Sequence, residues 1–235
     1  MSTILISKIE VGSHLYFNFG DSLHLHGETV IVSFLVVTAV SLFLALSTNN
    51  LQRIPGELQS IAETIYDLVK SIALTQMGPS YYSRFLPFVT TIFLFVLGSN
   101  VAGALIPWKL FEIPEGELAA PTNDINTTAC LAILTSLTYF SAGLSIKGIG
   151  YFKRYIKPAI FFLPLNIVED FSKPLSLNFR LFGNVVADEL TVTVICSLVP
   201  LLVPLPVMML GLFASCLQAL IFATLAAAYI GEVIE

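Results

Sequence analysis

The sequence predicts an all-α protein that crosses a lipid bilayer about five times. Hydrophobic residues make up 56% of the 235 positions, charged residues make up only 11%, and the mean hydropathy is +0.85. Soluble domains carry about 25% charged residues. A chain with this balance has more apolar surface than one soluble core can bury, so it requires lipid as part of its solvent.

Three apolar runs have the length of a membrane-spanning helix: residues 30–46, 85–105 and 127–146. Each is close to the roughly 20 residues that a helix needs to cross a bilayer. Residues 1–28 are polar and lack the continuous apolar core of a secretory signal, so we expect them to be retained as an N-terminal segment.

The connection between the first two spans contains a helix of another kind. Between residues 55 and 78, apolar side chains recur at intervals of three and four: Leu58, Ile61, Ile65, Leu68 and Ile72. This spacing places them on one stripe and predicts an amphipathic helix on the membrane surface. A connector helix packed on the neighbouring spans would show the same pattern, and the sequence does not separate the two.

The C-terminal third is apolar over more residues than one span requires. At about 1.5 Å per residue, a helix over residues 160–199 would be about 60 Å long, twice the thickness of the hydrocarbon. Such a helix must tilt steeply, break or lie partly in the interface. With residues 206–230 as a further span, this gives five spans in a single membrane domain, residues 1–235; a break at Pro174 would give six.

Charge placement predicts the orientation. Lys and Arg are concentrated in residues 48–84 and 147–158, whereas residues 107–125 are mainly acidic. Because basic loops face the inner (N) side, we expect residues 107–125 and the N-terminal segment on the outer, proton-rich (P) side. The C-terminus is then on the N side, as is the amphipathic helix.

Composition and spacing exclude several classes of function. The net charge of −5 and the absence of a basic run argue against nucleic-acid binding. The three cysteines lie in apolar stretches without CxxC spacing, which predicts small buried hydrophobic residues: Cys130, Cys196 and Cys216. His24 and His26 alone are weak grounds for a metal site, so neither a metal nor a cofactor is predicted.

The long fourth segment carries ionisable residues within apolar sequence: Glu169, Asp170, Lys173, Arg180, Asp188 and Glu189. A charge in lipid costs about 2.5–3.5 kcal/mol on insertion scales, so such residues are candidates for function. Glu169 and Asp170 lie about 15 Å from Arg180 toward the N side, and Asp188 and Glu189 about 12 Å toward the P side. Two groups able to exchange protons therefore flank one fixed cation.

Arg180 is the residue that most requires a partner. Its guanidinium lies at mid-segment and keeps its charge, so it must face water or an anionic group. Asp188 is one candidate within the chain, but it lies about 80° away around the helix. Asn184, one turn after Arg180, shares its face. Lys173 is close to the N-side surface, where its ammonium is expected to reach water.

The last segment adds one polar residue at depth, Gln218. Small residues near it predict close approach of another helix: Gly211, Ser215 and Ala219. A compatible interpretation is that Gln218 lines a hydrated path together with Asp188 and Glu189.

These motifs resemble a known family. The run Lys173-Pro-Leu-Ser-Leu-Asn-Phe-Arg180-Leu-Phe-Gly-Asn184, then Asp188-Glu189-Leu and later Leu217-Gln218-Ala-Leu-Ile-Phe, are similar to subunit a of the F-type ATP synthases. Ser99-Asn100, Ala120-Pro-Thr-Asn-Asp124-Ile-Asn-Thr and the tail Ala227-Ala-Tyr-Ile-Gly-Glu232 resemble its plastid and cyanobacterial branch.

The resemblance implies a proton-translocating stator subunit that is not catalytic by itself. In the family, two long tilted helices, here residues 160–231, form a hairpin against a rotating ring of c subunits. Arg180 matches the essential arginine that keeps each ring carboxylate ionised and blocks a proton short-circuit. Other residues match or lie near two offset half-channels: Asn184, Glu189, Asp188, Gln218, Asp124, Asn100 and His26 on the P side, and Glu169 and Asp170 on the N side. Gly211 stands where many bacterial members have a histidine.

The implied partners are the c-subunit ring, b-type peripheral stalk subunits and the bilayer, without a cofactor. The implied location is a plastid thylakoid membrane, with the N-terminus lumenal and the C-terminus stromal; a cyanobacterial thylakoid is the alternative. A secondary transporter of an anionic substrate centred on Arg180 is the competing function. Because the ring supplies the ion site, this chain alone does not decide between H⁺ and Na⁺.

Overall fold

The computed structural model describes residues 16–18, 24–49, 51–105, 112–113, 116–117, 120–152, 163–198 and 204–234. Within these ranges the chain forms five long helices: α1 (Gly27–Thr48), α2 (Glu57–Leu105), α3 (Ile125–Lys147), α4 (Leu163–Leu198) and α5 (Pro204–Ile234). Very short strands form two antiparallel hairpins, β1 (Tyr16–Asn18) with β2 (His24–His26) and β3 (Glu112–Ile113) with β4 (Gly116–Glu117). The predicted all-α polytopic architecture is confirmed, with these hairpins as small additions.

Four of the described helices, α1, α2, α3 and α5, are long and apolar enough to cross a membrane. In α1, Val32 and Val36 are buried against the bundle, whereas large apolar side chains such as Phe34 and Leu42 are exposed. Outward-facing apolar surface of this kind is stable in lipid. The fourth predicted span, α4, is 36 residues long and carries the ionisable residues named above.

The backbone of α2 breaks at Gly78, where φ is 71° and ψ is 168°. A positive φ is accessible to glycine at little cost, and Pro79 after it has no N–H to continue the helical ladder. The predicted amphipathic helix therefore ends at Gly78, and a spanning helix follows it. The buried face of the amphipathic helix carries Val69 and Ala73.

The apolar stripe predicted for this first part of α2 faces outward. Leu58, Ile61 and Leu68 are exposed, whereas Ile65 and Ile72 are half-buried. The surface-helix and connector interpretations thus both hold, on different faces: one face packs on the protein and the other presents apolar side chains to the surroundings.

A 3₁₀ turn, Pro121–Asn123, leads directly into α3. The Asp124 carboxylate accepts a 2.9 Å hydrogen bond from the backbone N–H of Asn126 and so caps the helix. The helix ends at Gly148, which has φ 56°. This turn contacts α1, α2, α3 and α4, so that polar residues from these elements meet there.

Helices α4 and α5 pack as an antiparallel hairpin. Near one end Asp188 of α4 contacts Ser215 of α5, and near the other Lys173 contacts Glu232. Pro174 lies inside α4 without ending it, so the alternative of a break at Pro174, and hence of six spans, is wrong for the described helix.

The core lies where α5 packs against α2 and α3. Alanines and Phe222 of α5 are fully buried there, since small side chains allow close helix approach. A Cβ at Gly231 would overlap the backbone carbonyl oxygen of Gln76 in the amphipathic part of α2. The expected burial of the cysteines is wrong for Cys130, which is exposed, and Cys216 is only half-buried; the side chain of Cys196 lies outside the described residues.

Candidate functional site

Arg180 lies in the middle of α4 and is exposed. Its neighbours on the helix, Leu177 and Leu181, are buried in the bundle, whereas Phe179 faces outward. Among the residues that the structure describes, none forms a hydrogen bond or ion pair with the guanidinium. The internal pair with Asp188 is therefore not formed, and the cation remains available to an anionic group outside this chain.

A group of residues that we call the Asp188 cluster lies on one side of Arg180 along the hairpin; it comprises Asp188, Glu189, Ser215, Asn100 and Asn123. The Ser215 hydroxyl donates to Oδ2 of Asp188 at 3.4 Å. The Asn100 side chain, 2% exposed, donates from Nδ2 to the backbone oxygen of Ser215 at 3.0 Å. These bonds join α2, α4 and α5 at a single place.

Gly211 lies against the same carboxylate. A Cβ at this position would be 3.5 Å from Cγ of Asp188, which is ordinary van der Waals contact. The position that holds a histidine in many bacterial members of the resembling family is thus next to a carboxylate in this chain.

The Pro121–Asn123 turn extends the cluster to α1 and α3. Asn123 donates from Nδ2 to Oε2 of Glu189, in a short hydrogen bond. The Thr29 hydroxyl of α1 donates to Oδ2 of Asp124 at 3.4 Å. Glu189 is itself exposed, and no Lys or Arg within the described part of the chain forms an ion pair with Glu189 or Asp188.

Several buried polar atoms around this cluster have no hydrogen-bond partner among the described residues: Ser99 Oγ, Asn100 Oδ1, Thr122 Oγ1 and Gln218 Nε2. Gln218 is 5% exposed and lies three residues after Ser215, on the same face of α5. Buried polar groups are nearly always hydrogen-bonded, to protein or to ordered water. These four atoms, of seven such atoms in the described part of the chain, indicate that the region is suited to water.

A second group, the Lys173 cluster, lies on the other side of Arg180 and comprises Lys173, Glu169, Asp170 and Glu232. The Lys173 ammonium is 2.8 and 3.0 Å from the two carboxylate oxygens of Glu232, 3.1 Å from Glu169 Oε1 and 3.7 Å from Asp170 Oδ1. Lys173 is 9% exposed. The expectation that its ammonium extends to water is wrong, because three carboxylates surround it.

The structure thus separates the predicted residues into two groups. Asp188, Glu189, Asn100, Asp124 and Gln218 lie around the Asp188 cluster, and Glu169 and Asp170 belong to the Lys173 cluster. Asn184 is half-buried between them, without a hydrogen bond to a described side chain. The backbone of His26 pairs with Tyr16 in the first hairpin, but its side chain lies outside the described residues.

Comparison with protein families decides which family the chain belongs to. The family described as "ATP synthase A chain" matches residues 30–231, which include all five long helices almost entirely. The chain belongs to this family. Its function is that of a proton-translocating stator subunit of an F-type ATP synthase, and the alternative of a secondary transporter for an anionic substrate is not supported.

Two curated relatives agree with this family. The chain is 57% identical over 230 residues to "ATP synthase subunit a, chloroplastic" of Oedogonium cardiacum, covering 98% of this chain and 91% of that protein. It is 55% identical to the protein of the same description from Stigeoclonium helveticum, covering 98% and 93%. Chloroplastic relatives and apolar helices together make this ATP synthase subunit an integral membrane protein of the plastid.

Sequence reasoning missed four residues that the structure places in these clusters: Ser215, Asn123, Thr29 and Glu232. Ser215 had been interpreted only as a small packing residue. Asn123 and Glu232 lie inside the motifs that resemble the plastid branch, so they were available as candidates. Nothing local to Thr29 indicates its long-range contact with Asp124.

Proposed function

We propose that Arg180 faces a carboxylate on the c-subunit ring and separates two offset half-channels for protons, one on either side of it. The observation that carries this proposal is the exposed guanidinium on α4, which has no ion-pair partner among the described residues. On one side of it lies a carboxylate cluster without a described cation, and on the other lies a lysine-bound cluster. An unpaired internal charge is too costly in lipid to persist without an external anion or water.

Coulomb energy explains why this arrangement makes protons travel by way of the ring. At about 4 Å and an effective dielectric near 20, opposite unit charges attract by about 4 kcal/mol, enough to keep a passing ring carboxylate ionised. A proton therefore cannot pass directly between the half-channels; it must bind the ring, travel with it and leave on the other side. Each charge that crosses contributes about 2.3 kcal/mol per 100 mV.

On the P side, the half-channel consists of the Asp188 cluster with Asp124, Gln218 and Asn184, and His26 lies near its entrance. The unpartnered buried atoms of Thr122, Asn100 and Gln218 support this assignment, since water molecules would complete their hydrogen bonds and carry protons. Glu189 is exposed on α4, nine residues beyond Arg180 toward the P side, which suits it to pass protons along the half-channel.

On the N side, Glu169 and Asp170 border the opening through which protons leave. The Glu169 side chain is about half exposed and forms an ion pair with Lys173. We assign to these residues the role of bordering a wet exit rather than of an obligatory proton carrier.

The finer location and partners follow from the same features. The exposed surface of α4 that continues around the helix from Arg180 to Phe179 fits a neighbouring ring of helices. Other exposed apolar faces suit b-type peripheral stalk subunits and lipid. We assign the protein to the thylakoid membrane with its N-terminus in the lumen and its C-terminus in the stroma, because the acidic 107–125 connection alternates with basic ones.

Replacing Arg180 tests the proposal. In vesicles that contain the complete ATP synthase, we expect Arg180→Ala to abolish ATP-driven proton pumping. We expect Arg180→Lys to fail as well, since a desolvated ammonium can lose its proton whereas a guanidinium keeps it. Pumping is followed by acidification of the vesicle lumen.

Arg84→Ala is the matched control, because it removes a guanidinium from α2 rather than from α4. This variant should pump normally. Normal pumping by the Arg180→Ala enzyme would reject the role of Arg180, and normal pumping by the Arg180→Lys enzyme would reject the argument from a fixed charge.

A further inference from the structure

The Lys173 cluster connects the two arms of the hairpin by a charge-assisted contact. Lys173 of α4 donates to both carboxylate oxygens of Glu232, at 2.8 and 3.0 Å, in the last turn of α5. Such contacts between ionised groups are stronger and more directional than neutral ones. The ammonium also lies 5.6 Å from the centre of the Tyr229 ring, one turn earlier on α5.

Glu232 is carried by a firmly packed part of the molecule. Its neighbours Ile230 and Val233 are buried, and Gly231 lies directly against the backbone of Gln76 in the amphipathic part of α2. The carboxylate is therefore attached to a fixed frame, and Lys173 ties α4 to that frame.

Arg180 lies on the same stripe of α4 as two points of contact with α5. At 100° per residue, Arg180 is about 20° from Lys173 around the helix, and Asp188 is about 60° from Lys173. Lys173 contacts Glu232 about 10 Å from Arg180 along the axis, and Asp188 contacts Ser215 about 12 Å away on the other side. The guanidinium thus lies between two polar contacts that join the arms.

The apolar contacts between these two points fix the orientation of α4 less strictly than the polar contacts do. Leu177 and Leu181 are fully buried, but apolar packing has no preferred direction and permits small rolls and slides of α4. A roll of about 20° moves a group about 6 Å from the helix axis by about 2 Å. A displacement of that size is enough to spoil a charge contact that functions at about 4 Å.

We propose that Lys173, through its bridge to Glu232, is a positioning residue that fixes the roll and register of α4 so that Arg180 faces the ring. This inference rests on the proposed function of Arg180 and adds the element that orients it. It assigns Lys173 a role in geometry, with no contact to the ring and no proton carried.

The bridge is tested first by ATP-driven pumping of the complete enzyme in vesicles, expressed per assembled complex. We expect Lys173→Gln and Glu232→Gln each to slow pumping about tenfold, in line with the cost of displacing a positioned group. The double variant should be no slower than the slower single variant, because both remove the same contact. Lys173→Arg, which can still bind the carboxylate, should keep at least about half of the rate.

Lys70→Gln is the matched control. Lys70 lies on α2 with its ammonium 5.9 Å from the Tyr66 ring centre, away from both clusters, so its removal should leave pumping unchanged. If Lys173→Gln does not assemble, Glu232→Gln supplies the same test, because Lys173 then keeps its contact with Glu169.

A cross-link at the far end of the hairpin measures the register independently of pumping. A Cβ at Gly211 would be 3.7 Å from Cβ of Asp188, within the range of a disulfide. The pair Asp188→Cys and Gly211→Cys, in a chain whose Cys130, Cys196 and Cys216 are replaced by alanine, should therefore cross-link efficiently with Lys173 present. We expect Lys173→Gln to reduce the yield at least about threefold, since a roll or slide separates the two Cβ atoms.

The proposal requires both readouts to fall together. It is overturned if pumping falls while the cross-link yield is unchanged, since Lys173 would then act directly, and equally if the yield falls but pumping does not, or if neither changes. A failure of the proposed function has a different signature, which is normal pumping by Arg180→Ala, and the cross-link does not depend on it.

Discussion

The two ends of the α4–α5 hairpin hold their carboxylates in opposite electrostatic surroundings. In the Lys173 cluster an ammonium lies within 3.1 Å of both Glu169 and Glu232. In the Asp188 cluster the donors to Asp188 and Glu189 are the Ser215 hydroxyl and the Asn123 amide, which are neutral. One end of the hairpin therefore holds its carboxylates by ion pairs, and the other end holds them by hydrogen bonds from neutral groups.

The difference shows how one helix can combine a fixed joint with a proton path. The Lys173 cluster is closed by charge, and the packing around it is tight. Around the Asp188 cluster, buried polar atoms have no hydrogen-bond partner among the described residues, and a Cβ at Gly211 would meet the Asp188 carboxylate only at ordinary van der Waals distance. Stability is concentrated at one end, and capacity for water and protons at the other.

The largest expected effect compares the glycines at the two ends. Gly231→Ala forces a Cβ into the backbone of Gln76, which cannot move away as a flexible side chain would. We expect a loss of about 3 kcal/mol, the upper part of the range for overpacking. The measurement is the amount of the chain that assembles into the membrane complex and the temperature at which that complex is lost.

Gly211→Ala is the matched variant at the other end. Its new Cβ meets Asp188 only at 3.5 Å, so we expect stability to change by no more than about 0.5 kcal/mol. Equal losses of assembled complex in the two variants would contradict the contrast between a tight joint and an open cluster.

The second comparison uses one exposed glutamate from each cluster. Glu189→Gln removes a carboxylate that accepts a hydrogen bond from a neutral amide on the P side of Arg180, and we expect pumping to slow about tenfold. Glu169→Gln removes one that is already paired with Lys173 and borders a wet exit, and we expect a change of less than about twofold. Initial rates of vesicle acidification at matched enzyme content measure both.

A slower enzyme with Glu169→Gln than with Glu189→Gln would reverse the assignment of the proton-exchanging end. Retained assembly in both variants, checked by the amount of complex, separates a loss of proton transfer from a loss of structure.

Much of this architecture could be predicted from the sequence, because lipid imposes a simple rule on apolar length and charge. The apolar runs predicted the spans, and the periodic apolar spacing up to residue 78 predicted the amphipathic helix, which ends at the Gly78 break. The importance of Arg180 could also be predicted from its own segment, because that apolar segment offers the guanidinium neither water nor a well-placed anionic partner. These features depend on composition and helical spacing alone.

The contacts between helices could not be predicted in the same way. Lys173 was expected to reach water because its own segment shows only its distance from the membrane surface, whereas its main partner, Glu232, is 59 residues away. Similarly, Ser215 is small enough to suggest packing alone, and its contact with Asp188 depends on how α5 aligns with α4. Spacing within one helix contains no information about the register between two.

The smallest expected effect isolates one hydrogen bond of the open end. Ser215→Ala removes the 3.4 Å donor to Asp188 but keeps the backbone oxygen that accepts from Asn100. A weak, neutral hydrogen bond of this kind contributes about 0.5–1 kcal/mol, so we expect pumping to change by only about threefold. The control is Ser141→Ala, whose hydroxyl bonds to the Thr138 carbonyl on the exposed face of α3 and should not affect pumping. If Ser215→Ala abolished pumping, the Asp188 cluster would depend on this one hydrogen bond for its geometry, as α4 is proposed to depend on the Lys173–Glu232 bridge, and the two ends of the hairpin would no longer differ in kind.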